Sequence, residues 1–550
     1  MSPRTRIEER ASTHRSPRGV EQFARNSAYG TIAGLCTALG SVMASVIVAH
    51  SLGVEGTGVI AFALWVVMLA AAVADLGIQA TLARYLPELI AAGKAAEADR
   101  LAALLRRDLA LACCAALAGF AGYAAWEWRA GGAEPMIWLL VGLACALQAL
   151  AGLTYGYLRG VQRFDRLALV TAVSLAVQLV IVAIGGLTFG IAGALAGYCA
   201  GSALPAVMSL RRSRGAGPLA ADIRARARRY AIYAWAGALS SAFVWSRAEV
   251  FFLNRSAGST AVGLFTVGLT LANLASQGPM LLTTGLLPYF AQTFGKGALA
   301  ELREAYAVAT RVLAFLVFPA CFGMAAVLPV LLPMLYGQAF ADAVPAATIL
   351  VLAAGIGSTA SVGSSVVMAA DRSDFIFLSG LIAALLSIVA GFTAIPAFGL
   401  IGAAWARAAI QVSAVAFGTW FLFYRLRLPL PFRDLAKLLL AAVLCGAAAR
   451  TCLLMVPGAA SLPVAILAGA AVYIISIRFL RALPPGDISR LRAMIRPMPA
   501  AFRAVAELGL RALATAEMAS PAPVGARSMS TGQPRPFAAA LGIRGGRNAD

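Results

Sequence analysis

The chain has 550 residues, of which 61% are hydrophobic and only 13% are charged. Soluble globular proteins carry roughly 45–50% apolar and about 25% charged residues. Composition therefore excludes a string of soluble domains and indicates a protein embedded in a bilayer. The chain contains two histidines, and its cysteines lie scattered in apolar segments, so little is available for a metal or acid–base site. We expect no catalytic residue, no metal and no cofactor, and we do not expect an enzyme.

The net charge of +21 could suggest a nucleic-acid partner. The cationic residues, however, are concentrated in short connections between apolar runs and in the two tails, where lipid head groups and cytosol lie. We therefore expect no nucleic-acid partner. The expected partner of the basic residues is the lipid bilayer.

A helix needs about 20 apolar residues to cross a bilayer core of roughly 30 Å. On that criterion the sequence predicts an all-α polytopic membrane protein with fourteen transmembrane helices: residues 27–49, 57–80, 108–128, 136–157, 167–187, 190–210, 230–253, 261–289, 312–333, 345–369, 375–397, 399–423, 438–456 and 461–480.

The positions of lysine and arginine predict the orientation of these spans. Only Arg129 and Arg255 lie in the odd-numbered connections, whereas the even-numbered connections and both tails are rich in arginine. Cytoplasmic loops carry an excess of Lys and Arg, so both termini are predicted to be cytoplasmic. The segment before the first span lacks the apolar core and cleavage site of a signal peptide, and the first span is predicted to be a retained anchor.

Short segments recur between the two halves of the sequence. Phe189–Ala194 returns as Phe398–Ala403, and Gly53–Val59 resembles Gly258–Leu264 at nearly the same offset. Repeats of the same orientation usually place a substrate path at their interface. The predicted organisation is a basic cytoplasmic tail (1–26), an N-terminal lobe of spans 1–6 (27–210), a basic cytoplasmic linker (211–229), a C-terminal lobe of spans 7–12 (230–423), two appended spans (438–480), and a cytoplasmic tail (481–550) in which residues 499–518 form an interfacial helix before a disordered end.

Several motifs resemble one family. They are LGVEGTG (Leu52–Gly58), Asp75-Leu76-Gly77 followed by Arg84–Glu88, Leu158-Arg159-Gly160, and Leu335-Tyr336-Gly337 before Phe340. Together with the span pattern, they make the chain similar to the polysaccharide (O-antigen type) flippases. These belong to the multidrug/oligosaccharidyl-lipid/polysaccharide (MOP) exporter superfamily, which also contains lipid II flippases and multidrug extruders. The resemblance implies two MATE-like six-helix lobes around a central cavity.

The same resemblance implies a secondary transporter of the bacterial inner membrane. It would flip undecaprenyl-pyrophosphate-linked oligosaccharides from the cytoplasmic to the periplasmic leaflet by alternating access, for lipopolysaccharide or exopolysaccharide synthesis. Its partners would be the lipid-linked oligosaccharide, the bilayer, and the polymerase and glycosyltransferases of the same route. A multidrug or cation extruder of the superfamily remains an alternative. A membrane polymerase or ligase is a weaker one, because the outer connections are only a few residues long.

Charged side chains within spans are costly and usually face a cavity or a partner. Arg247 in span 7 and Arg407 in span 12 are predicted at similar depth, where guanidinium groups could hold a lipid pyrophosphate. Arg407 could equally extend to the outer head groups. Glu249 lies about 200° around the helix from Arg247. It could couple transport to protons, or it could pair with an arginine of another span.

Other polar residues of the spans have two readings each. Asp75 could bind a proton or Na⁺ in a cytoplasm-facing vestibule, or it could lie at the interface and pair with Arg84. Asn273 and Gln277 are spaced i, i+4, and Gln411 follows Arg407 by four residues, so each could bind sugar hydroxyls. Amides also hydrogen-bond helix to helix in membranes, and the sequence leaves that choice open.

Overall fold

The computed structural model describes residues 17–132, 134–211, 217, 219–245, 248–280, 286–455, 458, 461–495, 503 and 507. This part of the chain is helical with no strand. Its helices are α1 (Pro17–Ala74), α2 (Ile78–Ala91), α3 (Ala95–Arg129), α4 (Pro135–Gly160), α5 (Phe164–Arg211), α6 (Ala221–Trp245), α7 (Ala248–Met280), α8 (Leu286–Gly295), α9 (Leu299–Tyr336), α10 (Val344–Ser358), α11 (Ala360–Ala369), α12 (Ser373–Phe392), α13 (Ala394–Leu426), α14 (Phe432–Met455), α15 (Leu462–Leu480) and α16 (Pro485–Ile495).

The prediction of an all-helical, multi-pass membrane protein is confirmed. In the described residues, eleven helices are long and apolar enough to cross a membrane. The difference from fourteen predicted spans arises partly because two predicted spans share one helix in α1, and two more share α5.

Glycines break the longest helices. A straight helix of 58 residues, the length of α1, would extend about 87 Å at 1.5 Å per residue, far beyond a bilayer core of about 30 Å. The chain instead turns at Gly53 in α1, Gly190 in α5, Gly258 in α7 and Gly399 in α13, each with a positive φ of 53–78°. Only glycine adopts such φ values readily.

These four turns lie at one end of the helical bundle, the glycine-turn end. Ser51, beside the α1 turn, lies against Gly186 near the α5 turn. The aromatic rings of Phe252 and Phe392, near the α7 and α13 turns, are 5.2 Å apart. The α1 and α7 turns also contact each other, as described below. The opposite end, which carries the exposed Arg163–Asp165 and Arg372–Asp374 ion pairs, is called the basic end.

The backbone repeats between the two halves of the chain. Positive φ values recur in pairs with nearly constant sequence separation: Gly53 and Gly258, Gly93 and Gly297, Gly131 and Gly337, Gln162 and Asp371, and Gly190 and Gly399. The ion pairs Arg163–Asp165 and Arg372–Asp374, each 3.0 Å, follow the same spacing. The segments matched in sequence therefore share local conformation. α1–α5 are called the N-terminal half, and α6–α13 the C-terminal half.

The last three helices pack against α9. Leu438, Ala441, Tyr473 and Ile488 share a buried cluster with Val312 and Phe318 of α9. Arg311 of α9 is only 12% exposed, and its guanidinium lies 2.7 Å from Asp487 of α16 and 3.3 Å from Asp434 of α14. A buried cation with two carboxylate partners is strongly held, so α14–α16 are tied to the C-terminal half.

The short helix α16 lies in the stretch 481–550 that is predicted as a cytoplasmic tail. It is amphipathic, with Ile488 and Leu491 buried and Arg490 paired with Glu304 at 2.6 Å. Eleven residues with few apolar positions are too short for a span criterion to detect. The predicted interfacial helix 499–518 lies outside the described residues, except for Arg503 and Glu507.

Candidate functional site

A cavity of about 740 Å³ lies between the two halves. Its walls come from α1 on both sides of the Gly53 turn, and from α5, α6 and α7. The polar lining residues are Ser41, Ser45, Thr57, Gln178 and Tyr198 of the N-terminal half, and Thr266, Thr270, Asn273 and Gln277 of the C-terminal half. The lining residues that the structure describes include no Asp, Glu, Lys or Arg. The described surface of the cavity is therefore uncharged, and it combines these polar groups with apolar residues such as Leu64, Trp65 and Met68.

Several hydroxyl groups of this lining donate hydrogen bonds to backbone carbonyls of their own helices. Ser41 donates to the Ala38 carbonyl at 2.8 Å, Thr57 to Gly53 at 2.6 Å, and Thr266 to Val262 at 2.9 Å. A hydroxyl oxygen keeps acceptor capacity when its hydrogen is used in this way. These oxygens can therefore accept hydrogen bonds from hydroxyl groups of a ligand.

The amides provide the complementary donors. Asn273 and Gln277 lie one turn apart on α7, and Gln178 enters the cavity from α5. Each amide has two N–H donors and a carbonyl acceptor. Acceptors and donors together match a ligand rich in hydroxyl groups, because each sugar hydroxyl both donates and accepts.

A close contact between α1 and α7 closes the cavity at the glycine-turn end. A Cβ atom placed on Gly58 would overlap the carbonyl of Ser259, and one placed on Gly263 would overlap the carbonyl of Val54. Gly58 and Gly263 hold equivalent positions in the sequence repeat, as do Val54 and Ser259. The two halves therefore meet here through two equivalent contacts, Gly58 of α1 against Ser259 of α7 and Gly263 of α7 against Val54 of α1. We call these four residues the glycine seal.

The two halves also touch at the basic end. A Cβ on Gly77 would overlap the carbonyl of Ala231, and the indole of Trp235 donates to the Val73 carbonyl at 3.0 Å. Tyr85 donates to the Arg226 carbonyl at 3.3 Å. These contacts attach α6 to the end of α1 and to α2. In this conformation the cavity therefore lies between two contacts of the halves.

Arg407 and Glu249 form an ion pair inside the C-terminal half. Arg407 Nη1 lies 3.5 Å from Glu249 Oε1, and the two side chains are 9% and 1% exposed. Glu249 begins α7, nine residues before the Gly258 turn, and Arg407 follows the Gly399 turn by eight residues. At 1.5 Å per residue both lie about 12–14 Å from the glycine-turn end. This geometry corresponds to the reading of Glu249 as partner of an arginine from another span.

The structure brings only some of the predicted site residues together. Asn273 and Gln277 line the cavity. Gln411 follows Arg407 on α13 and packs against Gly357 of α10. Arg247 lies outside the described residues.

Asp75 has a local contact at the break between α1 and α2. Its carboxylate accepts a hydrogen bond from the backbone N–H of Gln79 at 3.4 Å. Its predicted partner Arg84 stacks instead over the ring of Tyr230, 4.7 Å from the centroid. Asp75 therefore meets the start of α2, where a negative charge is favoured by the helix dipole.

Breaking the Glu249–Arg407 pair should cost stability. Glu249→Gln would leave Arg407 without its buried counter-charge, and removing one member of such a pair costs roughly 3–5 kcal/mol. We expect a lower unfolding temperature of the detergent-purified protein. Glu249→Gln combined with Arg407→Gln should recover most of the loss, because no uncompensated charge remains. A single variant as stable as the wild-type protein, or a double variant with additive losses, would show that the two side chains are not coupled.

The helices and the cavity between two repeated halves are those of a multi-pass membrane protein. Residues 47–345, more than half of the chain, match the family described as polysaccharide biosynthesis protein. The chain belongs to that family.

Several known proteins are similar to this chain. The teichuronic acid biosynthesis protein TuaB of Bacillus subtilis (strain 168) is 26% identical over 189 residues, 33% of this chain and 38% of TuaB. The aligned segment thus spans well under two thirds of that relative. The structure of the lipid II flippase MurJ in an inward closed conformation has a TM-score of 0.63 at 15% identity, covering 84% of this chain and 98% of MurJ.

An inward-facing multidrug resistance MATE transporter of the MOP superfamily has a TM-score of 0.53 at 16% identity, covering 72% of this chain and 93% of the transporter. At these identities the likeness to MurJ and to the MATE transporter concerns the fold.

Proposed function

We propose that this protein flips lipid-linked oligosaccharides from the cytoplasmic to the periplasmic leaflet, with the sugar passing through the cavity between its halves. The observation that carries the proposal is an uncharged lining that includes hydroxyl and amide groups from both halves. A volume of about 740 Å³ falls within the range of roughly 300–1,000 Å³ that holds drug-sized ligands. Membership in a polysaccharide biosynthesis family and a fold shared with a lipid II flippase support the same substrate class.

The proposal includes fourteen spans, two six-helix lobes with spans 13 and 14 appended, and cytoplasmic termini. The glycine turns of α1, α5, α7 and α13 support the division of long helices into separate spans. The paired positive φ values support two repeated lobes. The arginine-rich connections support a cytoplasmic basic end, which makes the glycine-turn end periplasmic. The glycine seal then closes the periplasmic side of the passage.

The two contacts between the halves support transport by alternating access. Rocking of one half against the other would open the glycine seal while the contacts of α6 with α1 and α2 persist, and the reverse motion would expose the cavity to the cytoplasm. The carrier lipid is proposed to be undecaprenyl pyrophosphate. A proton or Na⁺ site at Asp75 or Glu249 and a phosphate role for Arg247 or Arg407 remain proposals. Polymerases and glycosyltransferases would supply and consume the substrate.

A multidrug extruder is the second candidate, because a MATE transporter shares the fold. A cationic drug would favour acidic groups in the passage, whereas the described lining has no acidic residue and carries amides and hydroxyls beside its apolar residues. The chemistry of the cavity therefore favours a saccharide.

The leaflet distribution of lipid-linked saccharides tests this function. In cells lacking the protein, we expect these lipids to accumulate where a lectin reaches them only in inside-out membrane vesicles. Complementation with the wild-type gene should restore lectin access in right-side-out vesicles. Normal surface glycans together with raised ethidium sensitivity would contradict the flippase and support the extruder.

A further inference from the structure

A second cavity lies in the N-terminal half, beside the first. It has a volume of about 450 Å³ and is lined by α1, α4 and α5, with Tyr155, Arg159, Thr171 and Ser174 among its polar residues. Gln178 lines both this groove and the central cavity. The groove therefore continues the central cavity toward the basic end. We call it the Arg159 groove.

Arg159 is placed to receive an anion. It lies at the last turn of α4, is exposed, and is a charged member of the groove lining. The nearest acidic residue in sequence, Asp165, is held by Arg163 through two hydrogen bonds of 3.0 Å. Among the described residues no carboxylate forms an ion pair with Arg159. A guanidinium at this position can bind a phosphate in bidentate fashion.

The surroundings of the groove indicate a lipid rather than a soluble anion. Leu169, Val173 and Val180 of α5 form an exposed apolar face on the same helix, as expected where acyl or prenyl chains lie. Phe164 and Gln178 of α5 both line the groove. They are fourteen residues apart, so the groove runs along α5 for about 21 Å at 1.5 Å per residue. A headgroup at Arg159 would thus have the bilayer on one side and a polar route to the central cavity on the other.

The repeat provides a comparison within the same molecule. A cavity of about 280 Å³ in the C-terminal half is lined by Ser364, Ile376 and Gly380. In the register that aligns Arg163 with Arg372, these residues correspond to Tyr155, Leu167 and Thr171 of the Arg159 groove. In the same register Met368 corresponds to Arg159. Both halves therefore contain a groove at this place, but only the Arg159 groove has a cationic residue in its described lining.

We propose that the Arg159 groove binds the pyrophosphate of a prenyl-lipid carrier while its sugar occupies the central cavity. This assignment rests on the proposed function and adds the subsite for the anionic headgroup. It places that headgroup near the basic end rather than among the uncharged groups of the central cavity.

Binding of farnesyl pyrophosphate to the purified full-length protein tests the assignment. We expect Arg159→Gln to weaken binding roughly ten- to hundredfold, the range for losing a charge-assisted hydrogen bond. Arg166→Gln removes an equal charge from an exposed neighbour that is outside the groove lining, and it should bind as the wild-type protein does. Uncharged farnesol should bind much more weakly than farnesyl pyrophosphate.

Three results would overturn the assignment. Unchanged binding by Arg159→Gln would remove the subsite, and equal losses in Arg159→Gln and Arg166→Gln would show general attraction to the basic end. Equal affinity for inorganic pyrophosphate would replace the lipid with a soluble ligand. The assay contains no sugar and no transport step, so Arg159-dependent binding combined with normal leaflet distribution in cells lacking the protein would contradict the proposed function alone.

Discussion

Gly58→Val is expected to abolish polysaccharide export while the protein still accumulates in the membrane. Even a Cβ atom on Gly58 would overlap the Ser259 carbonyl, a backbone atom that cannot move aside as a side chain can. Overpacking of this kind costs typically 1–3 kcal/mol and occasionally more. At about 3 kcal/mol the population with a closed glycine seal would fall roughly 100-fold. Gly263→Val should act alike, because it meets the Val54 carbonyl in the equivalent contact.

The expected conformational change can be measured directly. Spin labels at Glu55 and Thr260, two exposed positions beside the seal, should report a longer distance in Gly58→Val than in the wild-type protein. Gly119→Val provides the control, because a Cβ at Gly119 of α3 meets nothing within 4 Å. Wild-type export by Gly58→Val, with an unchanged distance, would show that the two halves do not need to close at this point.

The turns that shape the bundle could be predicted from the sequence. The segments Gly53–Val59 and Gly258–Leu264 were matched as repeats, and both begin with a glycine of positive φ that turns the chain. The match succeeded because such φ values demand glycine at a fixed place. The contact of these two segments with each other could not be read from the sequence, since it depends on how the halves pack.

Some polar residues of the cavity could be predicted from the sequence and others could not, for a physical reason. The i, i+4 spacing marked Asn273 and Gln277 as one face of a helix, and that face does line the cavity. Gln178 and Tyr198 were missed because each is a single polar residue in an apolar helix. Their role becomes visible only when α5 is placed opposite α7.

For the charged residues of the spans, the sequence predicts that a partner or a cavity exists but not which partner it is. The cost of a bare charge in a bilayer predicts a partner or a cavity for Glu249 and Arg407. Their sequence separation gives no hint that they face each other, and only the packing of α7 against α13 pairs them. The short helix α16 escaped prediction because its contacts, through Asp487 and Ile488, depend on α9 and α14.

Replacing both cavity amides of α7 should cause the second large loss. Asn273→Leu combined with Gln277→Leu places an apolar side chain at each position and removes every donor that α7 offers through these residues. A hydrogen bond to an uncharged ligand contributes about 0.5–1.5 kcal/mol, and a ligand group left unpaired costs about 1–3 kcal/mol. We expect sugar translocation to fall roughly 10- to 100-fold. Gln292→Leu, at an exposed position of α8, is the matched control and should translocate normally.

Translocation by the purified protein in liposomes tests the passage most directly. A prenyl-pyrophosphate-linked oligosaccharide is placed in the outer leaflet, and its protection from an added glycosidase is followed over time. We predict protein-dependent protection that is lost in the Asn273→Leu, Gln277→Leu double variant and retained in Gln292→Leu. Equal protection by all three proteins would contradict passage of the sugar through the cavity between the halves. Absence of protection by the wild-type protein would contradict the flippase itself.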